Sequence, residues 1–329
     1  MNKLPFELKE RKILVKREAS TDSKFGTNPD DRPIKQLINY GVVNIDKPDG
    51  PSSHQVSAYV KQILNLSKSG HSGTLDPGVT GLLPVALEKA TRVVQSLLTA
   101  GKEYVCLMRL HKDVSEQLIR DVMGSFVGNI KQLPPKKCAV KRQERYRTIY
   151  YLEIIDIDGK DVLFRVGTQA GTYIRKLCHD IGRKLGIGAN MFELRRTKVG
   201  PFKEDTLCTL QDLKDAYFFF KESGDETYLR KLIMPPEYAV QHLPKIWILD
   251  SAVDALCHGA TLKVPGISKL HTGIEPDMKV AIMTLKDELV MTAIARLNSN
   301  KMLSEDKGVA AMPDQVFMAP GIYPKIEKV

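Results

Sequence analysis

Apolar and polar positions fall into short blocks along this chain, and the period of the blocks changes several times. Tyr40-Gly41-Val42-Val43-Asn44-Ile45-Asp46 predicts a strand, ended by the turn Lys47-Pro48-Asp49-Gly50-Pro51. Val56, Tyr59, Val60, Ile63 and Leu64 then recur at i, i+3, i+4, i+7 and i+8, one face of a helix with Ser53 as its N-cap. Residues 89–100 and 115–126 read as further helices, the second with Leu118, Val122 and Phe126 on one face. Residues 104–110 read as a strand, and 150–157 with 162–166 as a hairpin around Gly159. Residues 172–185 are helical, closed by Gly186 and Gly188. Strands and helices intersperse without a strict βαβ period. The pattern therefore predicts an α/β (α+β) fold, a mixed and largely antiparallel sheet flanked by helices.

Character changes after Pro244. Short strands at 247–249, 279–283 and 290–295 alternate with turns such as Val264-Pro265-Gly266, which predicts a small C-terminal β-barrel. The first forty residues show no sustained period and contain the turn Asn28-Pro29-Asp30-Asp31, so they read as an extension ordered by something else. The expected division is 1–40, 41–242 and 243–329. A chain of 329 residues, 43% hydrophobic and 27% charged, has room for two packed cores and is no rod, collagen or disulfide scaffold. Its densest apolar stretch, Ala216-Tyr217-Phe218-Phe219-Phe220, is too short to span a bilayer, and the N-terminus has no signal-like apolar region. A cytoplasmic protein is expected, without membrane association. Cys106, Cys138, Cys178, Cys208 and Cys257 lie 30 or more residues apart, which argues for buried thiols in a reducing compartment and for no metal site.

Charge adds a partner class. There are 49 Lys and Arg against 39 Asp and Glu, a net +10. Residues 243–329 hold ten of each sign, so the whole surplus belongs to residues 1–242. Residues 131–147 carry seven positive side chains against Glu144 alone, and 164–203 carry nine against Asp180 and Glu193. Two such clusters in one domain point to a surface that tracks phosphates, hence to nucleic acid.

The candidate chemistry begins with Asp76 in Gly73-Thr74-Leu75-Asp76-Pro77-Gly78. Asp before Pro-Gly is a common turn residue. A carboxylate on a loop stiffened by Pro77 and flanked by glycines can also serve as nucleophile or general base. Arg175 is either a surface arginine or the partner that keeps such a carboxylate ionised. Tyr104 and Tyr173, beside basic residues, suit either a core or a stacking surface for a base.

In order, Lys47-Pro48-x-Gly50-x-Ser52-Ser53-His54, Gly70-His71-Ser72-Gly73-Thr74-Leu75-Asp76-Pro77-x-x-Thr80-Gly81-Leu82-Leu83-Pro84-Val85, Lys102-x-Tyr104, Ala170-Gly171-Thr172-Tyr173-Ile174-Arg175 and Leu194-Arg195-Arg196-Thr197 resemble the successive motifs of the TruB class of pseudouridine synthases. The resemblance covers residues 40–240. Gly259-Ala260, Val264-Pro265-Gly266-Ile267 and Met318-Ala319-Pro320-Gly321-Ile322 resemble a PUA domain, a small RNA-binding β-barrel. Met108-Arg109-Leu110-His111-Lys112-Asp113-Val114, where bacterial relatives carry a Thr-Asp-Thr-type segment, is similar to the archaeal and eukaryotic dyskerin branch, as are Ala139-Val140-Lys141-Arg142 and Cys178-His179-Asp180-Ile181-Gly182. With no Lys-rich tail after the barrel, an archaeal type is expected. Val166-Gly167-Thr168-Gln169-Ala170 departs from relatives, which often have Cys or Glu nearby, and this bears on fine specificity only.

The resemblance implies isomerisation of uridine to pseudouridine in rRNA or tRNA, on a nucleotide flipped out of its stack. It implies Asp76 as the essential carboxylate, Arg175 as its ion partner, and Tyr104 as a stacking surface and proton relay. Tyr173, Leu194 and His71 would line the pocket, with Lys47 and Pro48 as structural support. Lys136, Lys137, Lys141, Arg142, Arg145 and Arg147 would grip RNA. It further implies an H/ACA guide RNA that selects the site, small accessory proteins of the H/ACA particle, a PUA-like domain reading the guide's 3′ ACA end, and an N-terminal extension packed on that domain. Neither metal nor organic cofactor is implied, because the glycosidic bond is broken and remade within one nucleotide. A stand-alone tRNA T-arm synthase is the alternative. A catalytically silent RNA scaffold is a third, opposed by the presence of Asp76, Arg175 and Tyr104 together.

Overall fold

The helix Ser53–Ile63 shows how local chemistry sets the elements that build the site. Gln55 N donates to Ser52 Oγ at 3.2 Å and Ser52 N donates to Gln55 Oε1 at 2.8 Å, a reciprocal capping box. The N-cap is thus Ser52, one residue before the expected Ser53, which leaves the Ser53 hydroxyl free to bond the loop carrying Asp76. Ser53, Val56, Ser57 and Val60 face inward while Tyr59 is exposed. Polar Ser57 belongs to that stripe because its hydroxyl lies 2.9 Å from that of Ser69 on the strand Ser69–His71.

The computed structural model describes residues 2–133 and 143–325. It divides into two compact units, one made of Met1–Leu8, Val43–Val85 and Val94–Leu232, the other of Lys9–Val42, Ala86–Val93 and Ile233–Val329. The first is built on a twisted sheet whose strands follow the order Val42–Lys47, Thr80–Leu87, Ala189–Val199, Lys102–Leu110, Asp161–Thr168, Arg145–Asp158 and Gly128–Gln132. Thr80–Leu87 and Ala189–Val199 run parallel, whereas the pairs from Ala189–Val199 outward are antiparallel. This is the mixed, largely antiparallel sheet expected. On the central strand Tyr104, Cys106, Met108 and Leu110 share the inward face, as a two-residue period requires. They pack with Val162, Phe164 and Val166 and with Ile174, Leu177, Cys178 and Ile181, the buried stripe of the helix Ile174–Lys184. Gly182 lets that helix press on the next strand: a Cβ there would stand 2.1 Å from Ala189 N.

Two helices differ from expectation. Residues 89–100 break into a 3₁₀ turn, Glu88–Val93, and a short helix, Val94–Leu98. The helix Glu116–Gly124 buries Ile119, Val122 and Met123 and exposes Leu118. Adjacent apolar pairs at 118–119 and 122–123 offer two candidate faces, and packing on Arg145–Asp158 and Ile174–Lys184 selects one of them.

In the second unit seven strands follow the order Ile13–Val15, Ile267–His271, Lys245–Ile248, Lys279–Met283, Leu289–Ala295, Val309–Val316 and Leu262–Lys263. Leu14, on the edge strand, pairs with Leu270, which pairs in turn with Ile246, and it packs against the core from there. Regular structure therefore begins well before Tyr40, with the strand Ile13–Val15 and the helix Ile34–Asn39. Three-residue strands and six-residue helices are too short for a period to register in sequence. Buried Arg32 and Glu237 form a two-pronged ion pair at 2.8 Å, and Lys286 Nζ donates to the carbonyls of Asp22 (2.9 Å) and Phe25. No helix among the described residues is long and apolar enough to cross a membrane.

Gly81 sits where the parallel pair begins, at φ +98°, and a Cβ there would meet Arg196 O at 2.2 Å. Gly81→Ala is expected to lower unfolding free energy by about 3 kcal/mol, from backbone strain plus displacement of the facing strand. A urea midpoint equal to that of the parent protein would show that the strands separate at no cost.

Candidate active site

Two side chains hold the loop of Asp76 from below. Lys47, fully buried at the end of its strand, donates to Pro48 O, Pro77 O and Val79 O, each at 2.8 Å. Ser53 Oγ accepts from Leu75 N at 2.8 Å and donates to Leu75 O at 3.2 Å. Val79 N donates to Asp76 O at 3.0 Å, closing the turn. Asp76 is thus a turn residue in its backbone, while its carboxylate projects outward. Burial pushes the Lys47 pKa down, and Arg196 adds to this, while Asp49 and Asp76 oppose it. Pro48 supplies one of the three carbonyls from an exposed position.

Arg175 comes from the first turn of Ile174–Lys184, and its guanidinium donates to Asp76 Oδ2. The two side chains are 57% and 55% exposed, so the pair adds little to stability and stands open to a substrate. The start of the helix is fixed by Gln132, which is buried: its Oε1 accepts from Tyr173 N at 3.0 Å and its Nε2 donates to Tyr173 O at 3.1 Å. Tyr173 is half-buried two residues before Arg175.

Tyr104 is buried in the cluster that contains Leu75 and Val79, so it lies under the Asp76 turn. Facing it in register on the neighbouring strand is Arg196, whose Nε donates to Leu82 O at 2.8 Å and whose Nη2 donates to Gly73 O at 3.4 Å. Leu194 packs at the rim of the same cluster. His71 stands on the far side of Gly73, its ring edge-on to His54 at 4.7 Å. Arg145 and Arg147 lie on the strand Arg145–Asp158, with Arg147 against Gly171. Lys136, Lys137, Lys141 and Arg142 lie outside the described residues. Among the described residues no group of three His, Cys, Asp or Glu side chains is arranged to hold a metal ion.

Three contributors carried no role in the sequence. Lys102 is buried and donates to Leu97 O (3.1 Å), Leu98 O (3.2 Å) and Ala100 O (2.9 Å); burial, then Arg196, pushes its pKa down to about 7. Arg196 is fully buried and pairs in register with Tyr104, and burial lowers its pKa. Gln132 clamps Tyr173. A signal existed for Lys102, which falls on the inward alternation of Tyr104, Cys106 and Met108, where a strand buries its side chains.

Comparison with known proteins places this geometry. A model of the TruB family pseudouridylate synthase N-terminal domain matches residues 61–174, and one of the tRNA pseudouridylate synthase B C-terminal domain matches 175–241. A DKCLD domain model matches residues 1–57 and a PUA domain model 244–317. A protein of Pyrococcus horikoshii named probable tRNA pseudouridine synthase B is 60% identical, covering 98% of this chain and 97% of its own. The protein of the same name from Methanopyrus kandleri is 54% identical over 98% and 95%. A chain of a Cbf5-Nop10-Gar1 complex superposes with a TM-score of 0.94 at 59% identity, covering 98% of both chains. One from an H/ACA RNP bound to a substrate RNA containing 2′-deoxyuridine does so at 0.93 and 56%, covering 99% and 100%.

Lys47→Met strands three carbonyls and is expected to cost about 2–3 kcal/mol in urea unfolding, with faster amide exchange at Leu75 and Val79. Unaltered exchange at both amides would separate Lys47 from the loop. For Lys102 the folded pKa is depressed, so the unfolded chain binds more protons above it. Wild type should therefore gain stability relative to Lys102→Met as pH rises from about 7 to about 10. A flat or falling difference in unfolding midpoint across that window would contradict the burial of a titrating amine.

Proposed function

Because this chain belongs to the TruB family of pseudouridylate synthases, we propose that it isomerises uridine to pseudouridine in RNA at sites chosen by an H/ACA guide RNA, with Asp76 as the essential carboxylate. The observation that carries the assignment is the Asp76–Arg175 pair, solvent-open on a loop pinned by Lys47. In the reaction the bond from C1′ to uracil N1 breaks and one from C1′ to C5 forms, with the C5 proton lost at the end. A carboxylate here serves each way of starting it: attack on C1′, attack on C6, or removal of a sugar proton. In all three the Asp76 carboxylate is the reacting group, and the Arg175 guanidinium orients it.

Tyr104, beneath the turn, backs the uracil and relays a proton, and Tyr173, Leu194 and His71 line the pocket. Arg145 and Arg147, with Lys136, Lys137, Lys141 and Arg142, grip the RNA. Residues 41–242 carry catalysis. Residues 243–329 read the guide's 3′ ACA end by base and stacking contacts, consistent with their zero net charge. Residues 1–40 pack on that domain, a role supported by the pairing of Ile13–Val15 with Ile267–His271. Full-length similarity to chains from complexes named for Nop10, Gar1 and H/ACA RNA supports guide dependence, accessory proteins of that kind and, with no spanning helix among the described residues, a cytoplasmic particle. The relatives' name, tRNA pseudouridine synthase B, favours a second reading: direct action on the tRNA T-arm.

Asp76→Asn is expected to reduce pseudouridine formation at least about 10³-fold while RNA affinity changes less than about threefold. A fully active variant would remove Asp76 from the chemistry. Incubating wild type with tRNA alone, and separately with guide, substrate and accessory proteins, distinguishes the two readings: efficient T-arm modification without guide favours the second.

A further inference from the structure

The helix that delivers Arg175 is capped at Tyr173, a residue type without the short side-chain oxygen that usually closes a first turn. Its closure comes from another strand. Gln132, 2% exposed and 41 residues away in sequence, accepts from Tyr173 N at Oε1 (3.0 Å) and donates from Nε2 to Tyr173 O (3.1 Å). Leu177 N donates to the same carbonyl at 3.0 Å, so the clamp grips the group on which the first turn closes. Tyr173 is extended there, at φ −98° and ψ 106°. An amide side chain presents a donor and an acceptor in one plane, as the N–H and C=O of a single extended residue require. A carboxylate offers no donor, and an asparagine reaches one methylene less. Gln132 ends the strand Gly128–Gln132, opposite Arg145 on the strand Arg145–Asp158. That second strand takes a hold four residues before Tyr173: Gln169 N donates to Thr148 O at 2.8 Å, and Thr148 N donates to Gln169 Oε1 at 3.1 Å. One hairpin thus pins residues 169–173 at both ends, and Arg175 follows two residues on.

We propose that Gln132 is a positioning residue of the reaction: by fixing the first turn of Ile174–Lys184, it sets the aim of Arg175 on the Asp76 carboxylate. Both partners of that pair are more than half exposed, so the place of the Arg175 guanidinium follows from where its backbone stands. A displacement of about 1 Å near reacting groups can cost on the order of 10²-fold in rate. The loop of Asp76 is held by Lys47 and Ser53, and Gln132 supplies the corresponding hold on the other partner. The proposal rests on Asp76 and Arg175 being the reacting pair, and it adds a buried residue that acts through Tyr173 and not on the substrate.

The test uses the full chain assembled with guide RNA, substrate RNA and accessory proteins, under single-turnover conditions. Gln132→Leu, and Gln132→Glu, which keeps the size but loses the donor, should each lower the rate at saturating RNA by about 10- to 100-fold. The half-saturating RNA concentration should change less than about twofold. In an Arg175→Ala protein the same changes should cost less than about twofold more, because nothing is left for Gln132 to orient. A merely structural role gives the same loss in both backgrounds; that result, or an unchanged rate in both variants, overturns the proposal. Should Gln132→Leu fail to fold, Gln132→Asn, which keeps the amide but falls short of Tyr173, carries the same comparison. In the free chain, the side-chain NMR resonances of Arg175 should move in Gln132→Glu toward their positions in Asp76→Asn. Resonances that stay at their wild-type positions overturn the clamp, and they judge it even if wild type forms no pseudouridine. That last result by itself overturns the function above, whereas an active wild type with an idle Gln132 leaves that function standing.

Discussion

Three buried cations, Lys47, Lys102 and Arg196, hold the catalytic unit together, and none has a carboxylate within ion-pair distance among the described residues. Main-chain carbonyls satisfy them instead: three for Lys47, three for Lys102, and Leu82 O and Gly73 O for Arg196. Burying a charge costs several kcal/mol even after relaxation, and the carbonyl dipoles offset much of that. The cost appears in the depressed pKa of each group, for which burial is the largest cause.

This arrangement separates rigidity from reactivity. The backbone at Leu75, Pro77 and Val79 is fixed by bonds to Ser53 and Lys47, so the exposed Asp76 carboxylate is positioned without being buried. Arg175 arrives on a helix whose first turn is set by Gln132 and whose far end is pressed against Ala189 at Gly182. The ion pair is solvent-exposed and weak as a structural contact. In the proposed reaction its value lies in orienting the carboxylate where a flipped nucleotide can reach it. The second unit uses charge differently, pairing buried Arg32 with Glu237 directly.

Element types were legible where the period was long enough. The central strand with its inward 104, 106, 108 and 110, the helix carrying Arg175, and the mixed sheet all follow from alternation and spacing. Short elements were not legible: Ile13–Val15 and Ile34–Asn39 complete fewer than two turns or two pleats before they end. The phase of Glu116–Gly124 was ambiguous because its apolar residues fall in adjacent pairs.

By itself the sequence determined the family, through motifs whose order and spacing cannot arise by chance, and it singled out Asp76 and Arg175 as residue types suited to one another. Only the tertiary structure decided that they meet, because they are 99 residues apart and each is locally ordinary. It also decided what Lys47, Lys102 and Arg196 do. A lysine or arginine in a strand carries no mark of its acceptor, since carbonyls are common to every residue and reveal themselves only when folding turns them toward the same point.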